Sequence, residues 1–155
     1  MKQTNDYILG IVIKEEPLGE KSKLLHVLSS TQGIIKMKAP GANNIKSSTH
    51  SAIQLFTYSE FSYAKGRNGF LTITGATVKK SFWGIKSNVS CYALACYFST
   101  AVEKFVVNDS TSAIVLRLVL NCLYALSDLK MPSETVKPFF EIKLASVCGF
   151  APNLD

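Results

Sequence analysis

The strongest constraint in this 155-residue chain is a change of hydrophobic period near residue 81. Before it, apolar and polar side chains tend to alternate, as in strands with one buried face. Beyond it, apolar residues fill windows too long for single strands and recur with helical spacing. The first half offers five runs. Tyr7 to Lys14 is β-rich and bounded by the turn-like Glu16-Pro17-Leu18-Gly19, and Lys23 to Ser29 is the second run. Gly33 precedes the third, where Ile35, Met37 and Ala39 alternate with Lys36 and Lys38. After a polar stretch, Pro40 to Ser51, an aromatic-rich run covers Ala52 to Ala64. A hairpin at Lys65-Gly66-Arg67-Asn68-Gly69 leads into the fifth, from Phe70 to about Val78. Five strands with the longest connection between the third and fourth predict a small Greek-key barrel of the OB type. Gly10 and Gly75, inside strands, suit the bulges or bends that closure requires.

The second half reads as three helices: Asn88–Val107, a run to Leu129 capped by Asp109-Ser110-Thr111, and one from Pro132 to Cys148. The first, apolar on most sides, is expected at the centre of the bundle, and Pro138 should kink the third or move its start. The expected fold class is therefore α+β, with a barrel over residues 1–80 and a small helical domain over 81–155. Helices this apolar need more cover than three provide, so the two halves should pack together. At 47% hydrophobic residues the chain can build a core, which excludes wholesale disorder.

Charge is distributed as unevenly as period. Residues 1–80 carry eleven of the seventeen Lys and Arg against five acids, so the whole net charge of +6 lies there. Residues 81–155 hold six of each and are neutral. A basic module beside a neutral one suits contact with a polyanion, and a basic surface kept for solubility is the plainer alternative. Candidate phosphate contacts are Lys36 and Lys38 on one strand face, Lys65 and Arg67 at a hairpin tip, and Lys21, Lys23, Lys46, Lys79 and Lys80 at strand ends or loops. In the fourth strand Phe56 and Tyr58 share one face and Phe61 and Tyr63 the other, so one pair is core. Tyr58 and Tyr63 are the candidates for base stacking. Arg117, alone in an apolar helix, either anchors an acidic partner peptide or, as the plainer reading, pairs internally, for example with Glu103 or Glu141, or snorkels to water.

Catalytic groupings are missing from the pattern. His26 sits inside a strand, where a solvent-facing or satisfied ring is expected, and His50 in a polar loop. No H-E-x-x-H, phosphate-loop or dinucleotide motif occurs, so the chain is not expected to be an enzyme. Cys91, Cys96, Cys122 and Cys148 form no C-x-x-C and no His pairing, and read as small hydrophobes of a reduced core rather than zinc ligands. The polar N-terminus carries no signal peptide, and no apolar window makes a convincing membrane span, so a cytoplasmic location is expected.

Several segments, taken in order, resemble the RecO family of bacterial recombination mediators. They are Gly10-Ile11-Val12-Ile13-Lys14 through Pro17-Leu18-Gly19-Glu20, then Ala39-Pro40-Gly41-Ala42, then Gln54 to Phe61 with Lys65-Gly66-Arg67. The last are Phe140-Glu141-Ile142-Lys143-Leu144 and Gly149-Phe150-Ala151-Pro152. The resemblance implies an N-terminal OB-fold followed by a helical domain. It also implies binding of single- and double-stranded DNA, annealing of complementary strands, and work with RecR and the single-strand-binding protein to load RecA. Two departures stand out. Asn43 and Asn44 follow Gly41-Ala42 where the family often has a basic residue, leaving Lys46 as the nearest cation. The chain also ends at Asp155, where many members begin a cysteine cluster for zinc, so it looks like the N-terminal portion of a longer protein with no cofactor of its own.

Overall fold

A computed structural model describes residues 6–105 and 109–149. The expected helix end at Val106–Val107 and the segment Phe150 to Pro152 lie outside the described residues.

Five strands, β1 (Asp6–Leu18), β2 (Ser22–Ser29), β3 (Ile34–Ala39), β4 (Thr57–Lys65) and β5 (Leu71–Ser81), close a barrel in the order β1-β2-β3-β5-β4. All neighbours are antiparallel except β3 and β5, which run parallel with Met37 opposite Leu71 and Lys38 opposite Thr72. This is the OB-type barrel that the strand pattern predicts. Among the described residues four helices follow, one more than the sequence reading expected: the short α1 (Trp83–Lys86), then α2 (Val89–Phe105), α3 (Ser112–Ser127) and α4 (Ser133–Val147), with a 3-10 turn at Asp109–Thr111 before α3.

β1 carries apolar residues on both faces. Ile8 and Val12 point into the barrel with Leu25, Val27, Met37, Phe61 and Ile73. Ile11 and Ile13 point outward into a second cluster with Leu28, Phe98, Val119 and Phe140. The barrel wall is thus one side of the helical core, the extra cover that the apolar helices require. The register of β1 against β2 shifts between Val12 and Lys14, so Ile13 bulges and stays on the helix side next to Ile11's face.

Of the two strand glycines expected at bulges or bends, Gly75 lies at one, whereas Gly10 keeps regular register and is required by close approach instead. A Cβ on Gly10 would lie 2.4 Å from Val27 Cγ1 and 2.8 Å from the Leu28 carbonyl oxygen. Gly75 borders the bulge where β4 and β5 shift register between Ser62 and Tyr63.

Four further details differ from the sequence reading. β1 runs through Pro17 to Leu18, paired with Lys23 and Ser22, and turns only at Gly19, which has φ of +70°. There β1 pairs with β2 alone, so the absent N–H of Pro17 can face the open side. Phe56 precedes β4 instead of lying in it: its φ of 61° swings the ring out of the strand and edge-on against Tyr92 of α2, with centroids 5.9 Å apart. α3, not α2, carries the most buried positions, while α2 leaves Val89, Tyr92, Tyr97 and Phe105 exposed. α4 begins at Ser133 and continues past Pro138, whose missing N–H forfeits a single bond, to the Glu134 carbonyl.

Polar ties fix the two layers as well. The Ser112 hydroxyl donates to the Ser29 carbonyl and accepts from the Gly33 N–H at 3.0 Å, so the first turn of α3 holds the β2–β3 turn from inside. Ser29 Oγ donates to the Gly33 carbonyl and accepts from the Gln32 N–H, closing the same turn locally. Ser112 is fully buried, so its removal leaves both backbone groups short of a partner. S112A should therefore lose about 1–3 kcal/mol of stability. Urea unfolding checks this as a lower midpoint with an unchanged slope.

Candidate nucleic-acid interface

Alternation along β3 turns Met37 and Ala39 inward and leaves Lys36 and Lys38 exposed. Lys36 stands opposite His26 of β2, and Lys38 opposite Leu24 of β2 and Thr72 of β5. Loops frame this strand at both ends. Parallel pairing of Leu71 with Met37 runs the 66–70 hairpin back alongside Lys36, bringing exposed Lys65 and Arg67 beside the start of β3. At the other end, the Ala42 N–H donates to the Lys21 carbonyl at 3.1 Å and Asn43 Nδ2 to the Glu20 carbonyl at 3.1 Å. These bonds latch the β1–β2 turn, with exposed Lys21, to the segment after β3, with exposed Lys46. The two asparagines after Gly41-Ala42 therefore shape the loop: Asn43 makes the latch, and Asn44 Oδ1 accepts from the Lys46 N–H at 3.1 Å.

Six exposed cations thus surround β3: Lys21, Lys36, Lys38, Lys46, Lys65 and Arg67. The other three candidates stand apart. Lys23 is partly buried and pairs with Glu15 at 3.4 Å, where neutralisation leaves little charge for a phosphate. Lys80 bonds Asp128, the C-cap residue just after α3, and lies 5.8 Å and 5.6 Å from the centroids of Phe82 and Tyr124, fastening β5 to the helices. That bond holds the Asp128 carboxyl below the ordinary carboxylate range. Lys79 bulges out of β5 between the pairs Tyr58–Lys80 and Ser59–Val78 and is exposed, near the helical end of the strand.

The expected stacking role of Tyr63 does not survive the geometry. Its ring is 7% exposed inside the barrel, with the hydroxyl 3.5 Å from Gln32 Nε2, so no base can reach its face. Tyr58 faces outward but packs, half-buried, against the barrel–helix cluster. An aromatic that alternation did not single out is exposed instead: Phe70, which stands in the hairpin turn one residue before β5. Its exposure follows from the turn, a signal visible in Gly66 and Gly69 but assigned in the sequence reading to Lys65 through Gly69 only. Arg117 is exposed on α3, and the expected internal pair is not formed among the described residues: Glu103 faces His26, and Glu141 lies beside Tyr97.

The basic face has an acidic border. His26, buried on the outer side of β2, has Nε2 3.2 Å from Glu16 Oε2 and Nδ1 3.2 Å from Glu103 Oε1 of α2. The second contact is at ion-pair distance without hydrogen-bond alignment. Lys14 lies 3.4 Å from the other Glu16 oxygen. Hydrogen bonds from His26 and then Lys14 hold the Glu16 carboxyl below its ordinary value of 4.5. Among the described residues no group of three or more His, Cys, Asp or Glu is arranged to hold a metal ion, and no helix is long and apolar enough to cross a membrane. Burial pushes the Cys122 thiol up to about 11, so it is protonated and unreactive at neutral pH.

A closed five-stranded barrel in the order β1-β2-β3-β5-β4, backed by helices that share its wall, places the chain in the class of OB-fold proteins. Within that class the chain belongs to the recombination protein O family: the profile described as Recombination protein O N terminal matches residues 1–82. The chain is similar to proteins named DNA repair protein RecO from several bacteria. It is 33% identical to that of Acetivibrio thermocellus over 143 residues, 92% of this chain and 57% of the relative. It is 34% identical to that of Caldicellulosiruptor saccharolyticus, covering 93% and 58% of the two chains. It is 30% identical to that of Dehalococcoides mccartyi, covering 94% and 56%. The chain thus spans rather more than half the length of these relatives.

A carboxyl with a depressed folded pKa stabilises above its unfolded value and loses that contribution as pH falls through the folded value. Glu16 is such a group. E16Q should therefore be less stable than the parent at pH 6, with the difference closing as pH falls below 4.5 and through the lower folded value, where the parent carboxyl protonates. Thermal melts of both proteins across that range read this directly.

Proposed function

We propose that this chain binds DNA across the face centred on β3 and acts as a non-enzymatic DNA-binding and strand-annealing module of recombinational repair. The observation that carries the reading is that Lys36 and Lys38 stand exposed on β3, whose two ends meet loop segments that carry exposed Lys65 and Arg67 at one end and Lys21 and Lys46 at the other. That side of the barrel, strands 2 and 3 flanked by the β1–β2 and β4–β5 loops, is where such barrels take up oligonucleotides. Family membership and the relatives' name, DNA repair protein RecO, support the same reading. Annealing needs no active site: cations lower the repulsion between two strands, and base pairing supplies the specificity.

In this reading the chain works in the bacterial cytoplasm, at the nucleoid, with single- and double-stranded DNA. RecR and the single-strand-binding protein are its partners, and RecA is loaded as the outcome. Of the candidate cations outside the β3 face, Lys79 extends the track along β5, while Lys23 and Lys80 act through the ion pairs that shape it.

A second reading, a docking adaptor for repair partners, draws on the helical half. α2 and α4 leave a cavity of about 310 Å³ lined by Tyr97, Ala101, Phe140 and Leu144, and Arg117 is exposed on α3. R117A would weaken capture of an acidic partner peptide without touching DNA affinity, whereas lysine substitutions on the barrel would do the reverse.

Fluorescence anisotropy of a labelled single strand against the chain, across a salt series, tests the first reading. Four to six phosphate contacts predict a log–log slope of about −3 to −4. The double substitution K36E/K38E should abolish binding at moderate salt. No binding by the parent chain even at low salt would overturn the DNA reading and leave the adaptor.

A further inference from the structure

The hairpin between β4 and β5 carries a side chain that the turn itself does not use. The turn closes through backbone bonds: the Gly66 N–H donates to the Phe70 carbonyl at 2.8 Å, and the Gly69 N–H to the Gly66 carbonyl at 3.0 Å. Gly69 supplies the positive φ, +78°, that the tip requires. The Phe70 ring contributes to none of this and is 63% exposed. Among the described residues it takes part in none of the ring–ring or cation–ring contacts. A large apolar ring left in water at a tight turn gains nothing from folding.

Its surroundings give it a use. Lys65 and Arg67 belong to the same hairpin, and the parallel register of β5 on β3 sets the hairpin beside Lys36. An exposed aromatic face among three phosphate-binding cations is the arrangement by which proteins hold unpaired nucleotides: cations track the backbone and the ring takes a base. Of the other aromatic side chains near the barrel, Tyr7 is also exposed, at 68%, but lies on β1 opposite Ser62 of β4 and not beside β3. Tyr63 is core, Tyr58 is half-buried against the helices, and Trp83, on α1 beyond the far end of β5, has the Lys86 ammonium 5.8 Å from its ring centroid.

We propose that Phe70 is a base-stacking residue that gives this face its selectivity for single-stranded over double-stranded DNA. In a duplex each base is covered on both sides by its neighbours, so only an unpaired or frayed base offers a free face to the ring. The proposal rests on the DNA-binding reading and assigns it a strand preference and a residue.

The test compares F70A, F70W and the parent chain by anisotropy, using a labelled oligothymidylate and a duplex of equal length, with melting curves to confirm folding. F70A should bind the single strand about ten-fold more weakly, the size of one base–aromatic stack, with the salt slope unchanged. Duplex affinity should stay within about two-fold, because cations alone hold the duplex. F70W should restore single-strand binding. If F70A binds the single strand as tightly as the parent while K36E/K38E does not, stacking is wrong and the basic face stands. If F70A weakens single strand and duplex equally, the ring supports the hairpin and the proposal is overturned. If the parent binds neither, the DNA reading itself falls and this proposal falls with it.

Discussion

Everything in this structure depends on β1 being apolar on both faces. Val12 closes the barrel interior and Ile11 and Ile13 seal the helical core, so one strand is the shared wall of two clusters. Each such side chain contributes about 1.5–3 kcal/mol when fully buried. A polar residue at Ile11 or Ile13 would therefore loosen the helices and leave the barrel wall bare. Ile11 and Ile13, two residues apart, share the outer face by alternation, and the bulge at Ile13 shifts the phase so that Lys14, which alternation would turn inward with Val12, faces water instead.

Sharing a wall also decides which part of the barrel remains free. α2 occupies the outer side of β1 and reaches β2 through Glu103 and His26, and α3 reaches the β2–β3 turn through Ser112. The outer face of β3 and the 66–70 hairpin are left uncovered, and the exposed cations gather there. Glu16 and Glu103, with His26 between them, mark the border. Beyond it the surface belongs to a helical half whose charges balance.

The strands, their order of appearance and the Lys36–Lys38 face were legible because period two in a half-buried strand is a local signal. The positions misread were those where tertiary geometry overrides a local pattern. Phe56 continues the aromatic alternation of β4, yet its backbone turns left-handed because α2 offers its ring a better pocket beside Tyr92. Phe70 continues the pattern of β5, yet the turn claims it. Pro17 reads as punctuation, yet β1 tolerates it where the strand has only one neighbour. For the site, residue types were visible but their grouping was not: the parallel pairing of β3 with β5 sets the 66–70 hairpin beside the start of β3, and nothing local encodes it. Nor could local sequence tell that Glu15 and Asp128, 8 and 48 residues distant, would neutralise Lys23 and Lys80.

The bond from Ser112 to the β2–β3 turn spans 83 residues and sets an order of events during synthesis. All five strands leave the ribosome before α3 exists, so the nascent barrel closes with the outward side chains of Ile11, Ile13 and Leu28 bare. Until the helices emerge, that wall is an adhesive surface on a growing chain. The same strand that unites the finished molecule is thus the one a chaperone would shield while translation continues.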